Sequence, residues 1–165
     1  MGFFYFTFQD WEANKKNTKG RAVAVFFRIA NYANKSKLFK IILLPYLIFY
    51  KLIFEYLIGF EVPYNTTIGK GLCIYHLQAI VINKNSIIGK NCCIRHSLTI
   101  GNKGMNGECP VIGDNVNIGA QVVILGAISV GNRAIIGAGS VIVKDVPEQC
   151  VVGGNPAKVI KNLNL

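Results

Sequence analysis

Between Val62 and Ile142 an aliphatic residue returns at almost every sixth position, and few folds can satisfy that beat. Val62, Ile68, Ile74 and Ile80 hold one phase; after a two-residue slip between Ile80 and Ile82, residues Ile82, Ile88, Ile94, Ile100, Ile112, Ile118, Ile124, Val130, Ile136 and Ile142 hold another. An amphipathic helix repeats at about 3.6 residues and a half-buried strand at about 2, so neither accounts for six. Self-similarity at a short fixed interval marks a solenoid. Six residues make one side of a three-sided turn, which predicts a parallel β-helix. Positions two before the aliphatic residue (Thr66, Ser86, Cys92, Val116, Val122, Ala134, Ser140) are small or modest and can share the interior with it. Glycine repeatedly follows the aliphatic residue directly, where the backbone nears a corner and a side chain would crowd it.

The beat divides the chain into an N-terminal region over residues 1–60, a coil over 61–150 and a tail over 151–165. The first region is different in kind. It opens on Phe3, Phe4, Phe6, Phe8 and Trp11, and no signal-peptide cleavage pattern follows. Gly20 to Lys35 reads as a helix whose apolar positions are wider than one stripe, so it packs on neighbours. Within Leu38 to Phe60 the run from Ile41 to Tyr50 is wholly apolar apart from Tyr hydroxyls, is interrupted at Pro45, and is then broken by Lys51 and Glu55. The uninterrupted run is shorter than the ~18 residues of a spanning helix. The expectation is a helical hairpin packed on the coil or on another subunit, then one lying on a membrane surface, with insertion third. Lys35, Lys37 and Lys40 ahead of the run keep peripheral membrane contact through residues 38–60 in play.

A regular scaffold carries function where its regularity breaks. One break is the two-residue slip. The other is a missed beat between Ile100 and Ile112, where Asn102 to Cys109, with Gly104 and Gly107, is polar and flexible in composition. Since the phase resumes after twelve residues, the loop at 102–110 is expected to replace one side of a coil. Equivalent residues of successive coils stack at about 4.8 Å. His76 follows Ile74 by two, His96 follows Ile94 by two and Asp114 follows Ile112 by two, so both histidines and one aspartate are expected in one column beside the loop. A lone histidine is most often an ordinary solvated or hydrogen-bonded residue; two in register beside a loop read as a site. A neutral imidazole can take a proton from an alcohol and a neighbouring group can set its tautomer, with Asp114 the candidate to orient His96.

The net charge of +10 is spread along the chain, with nine Lys and Arg against three Asp and Glu in residues 1–60 and nine against five in the remainder. It suits a polyanionic small molecule, an anionic membrane surface or nucleic acid equally. No basic run interleaved with aromatics and no nucleic-acid-binding signature is present, so nucleic acid is set aside. Five cysteines without a disulfide spacing point to a reducing cytoplasm, with the inner face of the membrane as a second location, and Cys92 reads as core filler. Two histidines and no paired Cys-x-x-Cys motif predict no metal site.

The segments Ile136-Gly-Ala-Gly-Ser-Val-Ile-Val-Lys-Asp-Val-Pro147 and Val152-Gly-Gly-Asn-Pro-Ala-Lys-Val-Ile160 resemble the bacterial hexapeptide-repeat acyltransferases, whose fold is the left-handed parallel β-helix. Phe8-Gln-Asp-Trp11, the stretch from Leu43 to Gly59, Arg95-His-Ser-Leu-Thr-Ile-Gly-Asn-Lys103 and Cys109-Pro-Val-Ile-Gly-Asp-Asn115 narrow the resemblance to the serine O-acetyltransferase-like branch, nearest the enzymes of colanic-acid and capsular polysaccharide clusters. The resemblance implies a homotrimer with sites between subunits, acetyl-CoA as donor and His76 as general base, with no covalent intermediate. Gly119, Ala120, Gly137 and Ala138 match positions along which the pantetheine arm lies, and Lys144 and Lys158 match the basic end of that groove. True serine acetyltransferases have Asp where this chain has Tyr75 and a loop histidine where it has Cys109. Those departures favour a sugar hydroxyl, on a nucleotide-linked, lipid-linked or polymeric glycan, over serine as acceptor. Serine acetyltransfer and a non-catalytic trimeric scaffold are the competing readings; a γ-type carbonic anhydrase would need three histidine zinc ligands.

Overall fold

The protein, described from a computed structural model over residues 2–104 and 107–163, is a five-turn parallel β-helix closed at its first turn by helices. The first coil holds β1 (Phe60–Glu61), β2 (Thr67–Ile68) and β3 (Cys73–Tyr75); the second β4 (Ile80–Ile82), β5 (Ile87–Ile88) and β6 (Cys93–Arg95). The third holds β7 (Thr99–Gly101), β8 (Val111–Ile112) and β9 (Asn117–Ile118), and the fourth β10 (Val123–Leu125), β11 (Ser129–Val130) and β12 (Ile135–Ile136). β13 (Val141–Ile142), a bridge from Val146 to Val130, and β14 (Cys150–Gly154) form the fifth, and β15 (Ala157–Asn162) folds back antiparallel on β14. Three sheets result, which we call A (β1, β4, β7, β10, β13), B (β2, β5, β8, β11) and C (β3, β6, β9, β12, β14, with β15 at its edge).

The aliphatic beat fills the interior. Ile68, Ile88, Ile112 and Val130 stack in sheet B and Ile74, Ile94, Ile118 and Ile136 in sheet C, all buried. β-branched side chains suit such short, one-side-buried strands, and each buried Ile stabilises the fold by about 1.5–3 kcal/mol. The smaller residues two positions earlier (Thr66, Ser86, Cys92, Val116, Val122, Ala134, Ser140) are buried as the spacing predicts.

Both interruptions differ from the expectation, the slip in its place and the loop in its kind. Phe60 pairs with Ile80 in register and Ile82 with Ile100, so Ile80 stacks in the file two positions before the beat and Ile82 carries the beat itself. The two extra residues therefore lie between Ile74 and Ile82, in the corner that runs from His76 to Ala79. Ile80 masks the slip because one aliphatic residue there looks like another. The loop is also an insertion rather than a replacement. Ile88 pairs with Ile112 and Ile100 with Ile124, each twenty-four residues apart, so residues 102–110 add six residues at the corner between sheets A and B while every side of the coil is kept.

The N-terminal region caps the coil. It holds α1 (Phe3–Thr7), α2 (Thr18–Tyr32), α3 (Lys37–Ile42), α4 (Leu44–Tyr50, with Pro45 in its first turn) and a π-helical segment at Lys51–Leu57. Asn17 caps α2 through Gly20 N–H, and Ser36 caps α3 through Phe39 N–H. The first coil has no neighbour below it, so its backbone groups need other partners. Polar side chains supply them. Buried Arg28 donates to the carbonyls of Ile68 (2.8 Å) and Gly69 (2.6 Å) and is paired with Asp10 at 2.7 Å. Asp10 accepts from Gly71 N–H (2.7 Å) and Leu72 N–H (3.0 Å). Asn14 accepts from Ile74 N–H and donates to Leu72 C=O, Asn31 donates to Tyr64 and Thr66 C=O, and Tyr50 donates to Val62 C=O. Among the described residues Arg28–Asp10 is the single ion pair, so the Lys51–Glu55 pairing that their spacing allows does not form.

Candidate active site

The two histidines stack as their spacing predicts. Cys73, Ile74 and Tyr75 of β3 pair in register with Cys93, Ile94 and Arg95 of β6, which puts His76 under His96 at the corner where sheet C turns into sheet A. Their rings meet edge to face, with centroids 5.6 Å apart and planes at 85°, the arrangement aromatic quadrupoles favour. His76 has a left-handed backbone (φ 55°), as does Ala79 (φ 55°) in the same corner. The same corner of the later coils turns on one left-handed residue each, Ser97, Gln121 and Gly139, whereas this longer corner holds two. The result aims His76 outward, exposed, while His96 is half-buried and its Nδ1 is buried with no hydrogen-bond partner.

Asp114 does not belong to this column. Its carboxylate accepts from Lys90 N–H at 2.7 Å and its own N–H donates to Asn132 Oδ1 at 2.7 Å, so it staples successive coils at the corner between sheets B and C. Because the loop inserts residues instead of replacing a side, eighteen residues beyond His96 falls one side short of a full turn. The position above His96 is Ala120, and above that Ala138: Gln121 N–H donates to His96 C=O (3.1 Å) and Gly139 N–H to Ala120 C=O (2.9 Å). Two imidazoles thus continue upward into two methyl groups. The loop leaves from the other edge of sheet A, at the A–B corner, so in one chain it does not stand beside the histidines, contrary to the expected single corner.

Tyr75 and Arg95 flank the histidines on the outer face of sheet C. The Arg95 guanidinium lies 5.7 Å from the Tyr75 ring centroid and donates to Asn117 Oδ1 (2.6 Å) and Ile118 C=O (2.8 Å). Arg95 was missed by the sequence reading, although the register that stacks His76 on His96 also stacks Tyr75 on Arg95. Next along the same strands, Cys73 and Cys93 are paired and half-buried. The neighbouring Cys93 thiol lowers the pKa of Cys73 to about 7, while Cys93 itself is pushed well up by the same neighbour and by burial. Cys92 is pushed up to about 11 by burial, in keeping with a core role.

Gly119 and Gly137 owe their size first to coil stacking. A Cβ on Gly119 would sit 2.5 Å from Ala138 N, and one on Gly137 3.3 Å from Val152 O. Gly119→Ala is expected to lower stability by about 1–3 kcal/mol, read as a fall in the thermal midpoint. Ala120 and Ala138 are half-buried and exposed respectively and form an accessible ledge above the histidines. Lys144 and Lys158 line one concavity at the far end of the coil with Val143, Pro147, Pro156 and Val159. Among the described residues no cluster of His, Cys, Asp and Glu could hold a metal ion.

Residues 109–144 match the family described as bacterial transferase hexapeptide (six repeats). WcaB of Escherichia coli (strain K12), named as a colanic acid biosynthesis acetyltransferase, is 38% identical over 92% of this chain and 96% of its own length. Serine acetyltransferase 2 of Arabidopsis thaliana is 39% identical over 62% of this chain and 32% of that protein. The crystal structure of serine acetyltransferase from Brucella abortus strain S19 superposes with a TM-score of 0.80 at 26% identity, covering 98% of this chain and 70% of that one. The near end-to-end match to WcaB, on a coil with the family's repeat and a histidine stack at its corner, makes this chain a member of the hexapeptide-repeat acyltransferases.

Proposed function

We propose that the chain is an acetyl-CoA-dependent O-acetyltransferase acting on a sugar hydroxyl during assembly of a bacterial polysaccharide, and that it works as a homotrimer. The observation that carries the reading is the outward-facing His76 stacked on His96 at the coil corner. His76 takes the acceptor's hydroxyl proton as the oxygen attacks the thioester carbonyl; the C–S bond then breaks, and the proton passes to the departing CoA sulfur. His96 supports His76 by packing and polarity rather than through a carboxylate relay, since Asp114 is at another corner. Backbone N–H groups are the natural donors for the oxyanion.

The ledge above the histidines and the concavity at the far end of the coil, with Lys144 at the A–B corner, support a donor site that runs between them. Ala120 and Ala138 allow close approach of a pantetheine arm, with Gly119 and Gly137 beneath it, and Lys144 and Lys158 offer cations to nucleotide phosphates. A trimer is favoured by the separation of the loop from the histidines, because a neighbouring chain can bring its loop to a corner that the chain's own loop leaves bare. Tyr75 favours a sugar. Its exposed ring beside His76 offers an apolar face to the C–H side of a pyranose, where a carboxylate would instead suit the amine of serine.

Serine acetyltransfer is the second reading, favoured by the fold-wide likeness to the Brucella enzyme. CoA release from acetyl-CoA against a panel of serine, simple sugars, nucleotide sugars and lipid-linked oligosaccharides separates the two. Turnover with glycans and none with serine is expected; activity with serine alone would reverse the assignment.

A further inference from the structure

We infer that the outer face of α3, α4 and the π-helical segment after them docks on an anionic phospholipid bilayer, lying along its surface. This segment has two apolar faces. One is in use: Leu47, Tyr50 and Phe54 are buried against the rest of the fold, with Phe54 ring to ring with Phe26 of α2 at 5.1 Å. The other is bare. Ile41, Leu44, Ile48, Leu52 and Tyr56 follow one another at intervals of three, four, four and four residues, which puts them on one helical stripe. Their exposure runs from 53% at Leu44 to 72% at Tyr56.

Charge selects the occupant. Lys37 and Lys40 form the rim of an open concavity whose floor is Ile41 and Leu44, an apolar base with a cationic edge. Among the described residues Lys37 and Lys40 are in no ion pair, whereas Lys51 further along shares a concavity with Glu55 and Glu61, and Lys35 lies over the rings of Phe6 and Tyr32. A second copy bound face to face would set Lys37 and Lys40 against their own images, with no carboxylate on α3 or α4 to answer them. A layer of lipid phosphates answers both, while the stripe enters the acyl boundary. Among the described residues no helix is long and apolar enough to cross a membrane, so the geometry is that of an in-plane anchor. The inference stands independently of the acetyl-transfer reading.

The test is sedimentation of the full chain with vesicles of phosphatidylglycerol and phosphatidylcholine against vesicles of phosphatidylcholine alone. Binding to the anionic vesicles that weakens with added salt is expected. The Lys37→Gln/Lys40→Gln pair should lower partitioning by about 10- to 30-fold. Leu44→Ser/Ile48→Ser should lower it as well while leaving the folded state intact, because both side chains are already in solvent. Equal partitioning to both vesicle types, or none to either, would overturn the proposal. So would loss of self-association by either variant in light scattering, which would assign the face to another copy of the chain.

Discussion

Loss of the His76 imidazole is expected to cut kcat/KM for acetyl transfer by about 100- to 10,000-fold, the range a positioned general base supplies. Asparagine is the better replacement. His76 has φ 55°, a conformation asparagine tolerates better than alanine does, so His76→Asn removes the base while sparing the corner. Thermal unfolding should then stay close to the parent while thiol release from acetyl-CoA collapses. His96→Asn separates support from chemistry: an imidazole that packs edge to face behind the base and does not accept the proton should cost much less than His76. Full activity in the His76 variant would remove it from the mechanism, and the glycan reading would lose its principal support.

The second large effect is on folding. Asp10→Ala is expected to destabilise the protein by about 3–5 kcal/mol, the cost of leaving a buried charge without its partner. Arg28, 1% exposed, would keep its two coil carbonyls and lose its counter-ion. The N–H groups of Gly71 and Leu72 would lose their acceptor in the same step. Urea denaturation reads the loss as a lower midpoint. Arg28→Met combined with Asp10→Leu should recover part of the loss, because an apolar pair of similar volume often serves as well as a buried ion pair. It will not recover all of it, since the backbone groups of the first coil remain unanswered. A midpoint unchanged in Asp10→Ala would mean that the cap contributes little to global stability.

How much of this was legible in the chain follows from what repeats. The coil was legible because the interior demands the same residue class at every side, and the stack of His76 on His96 because each stands at the same offset from its isoleucine. Asp114 shows where such reading fails. An inserted six-residue loop and a replaced six-residue side leave the same gap between Ile100 and Ile112, since the beat records position within a side but not which side. The slip was misplaced for a similar reason: Ile80 fits the beat while occupying the file of Phe60. The Arg28–Asp10 cap was not legible at all. Its partners are backbone groups some forty to sixty residues away, and backbone carries no sequence signal.

The two ends of the coil have one further consequence. A stack of identical turns has no intrinsic reason to stop, and each bare end offers a row of unpaired strand groups to any chain that can extend it. Here the first turn is sealed by side chains of α2, of the connection before it and of α4, and the last is turned back by β15 running antiparallel. Length is thereby set by terminators rather than by the repeat. A chain stripped of residues 1–36 should therefore do more than lose stability: its first turn becomes an open face while β15 still closes the other end, and chains paired first turn to first turn are the form its failure would take.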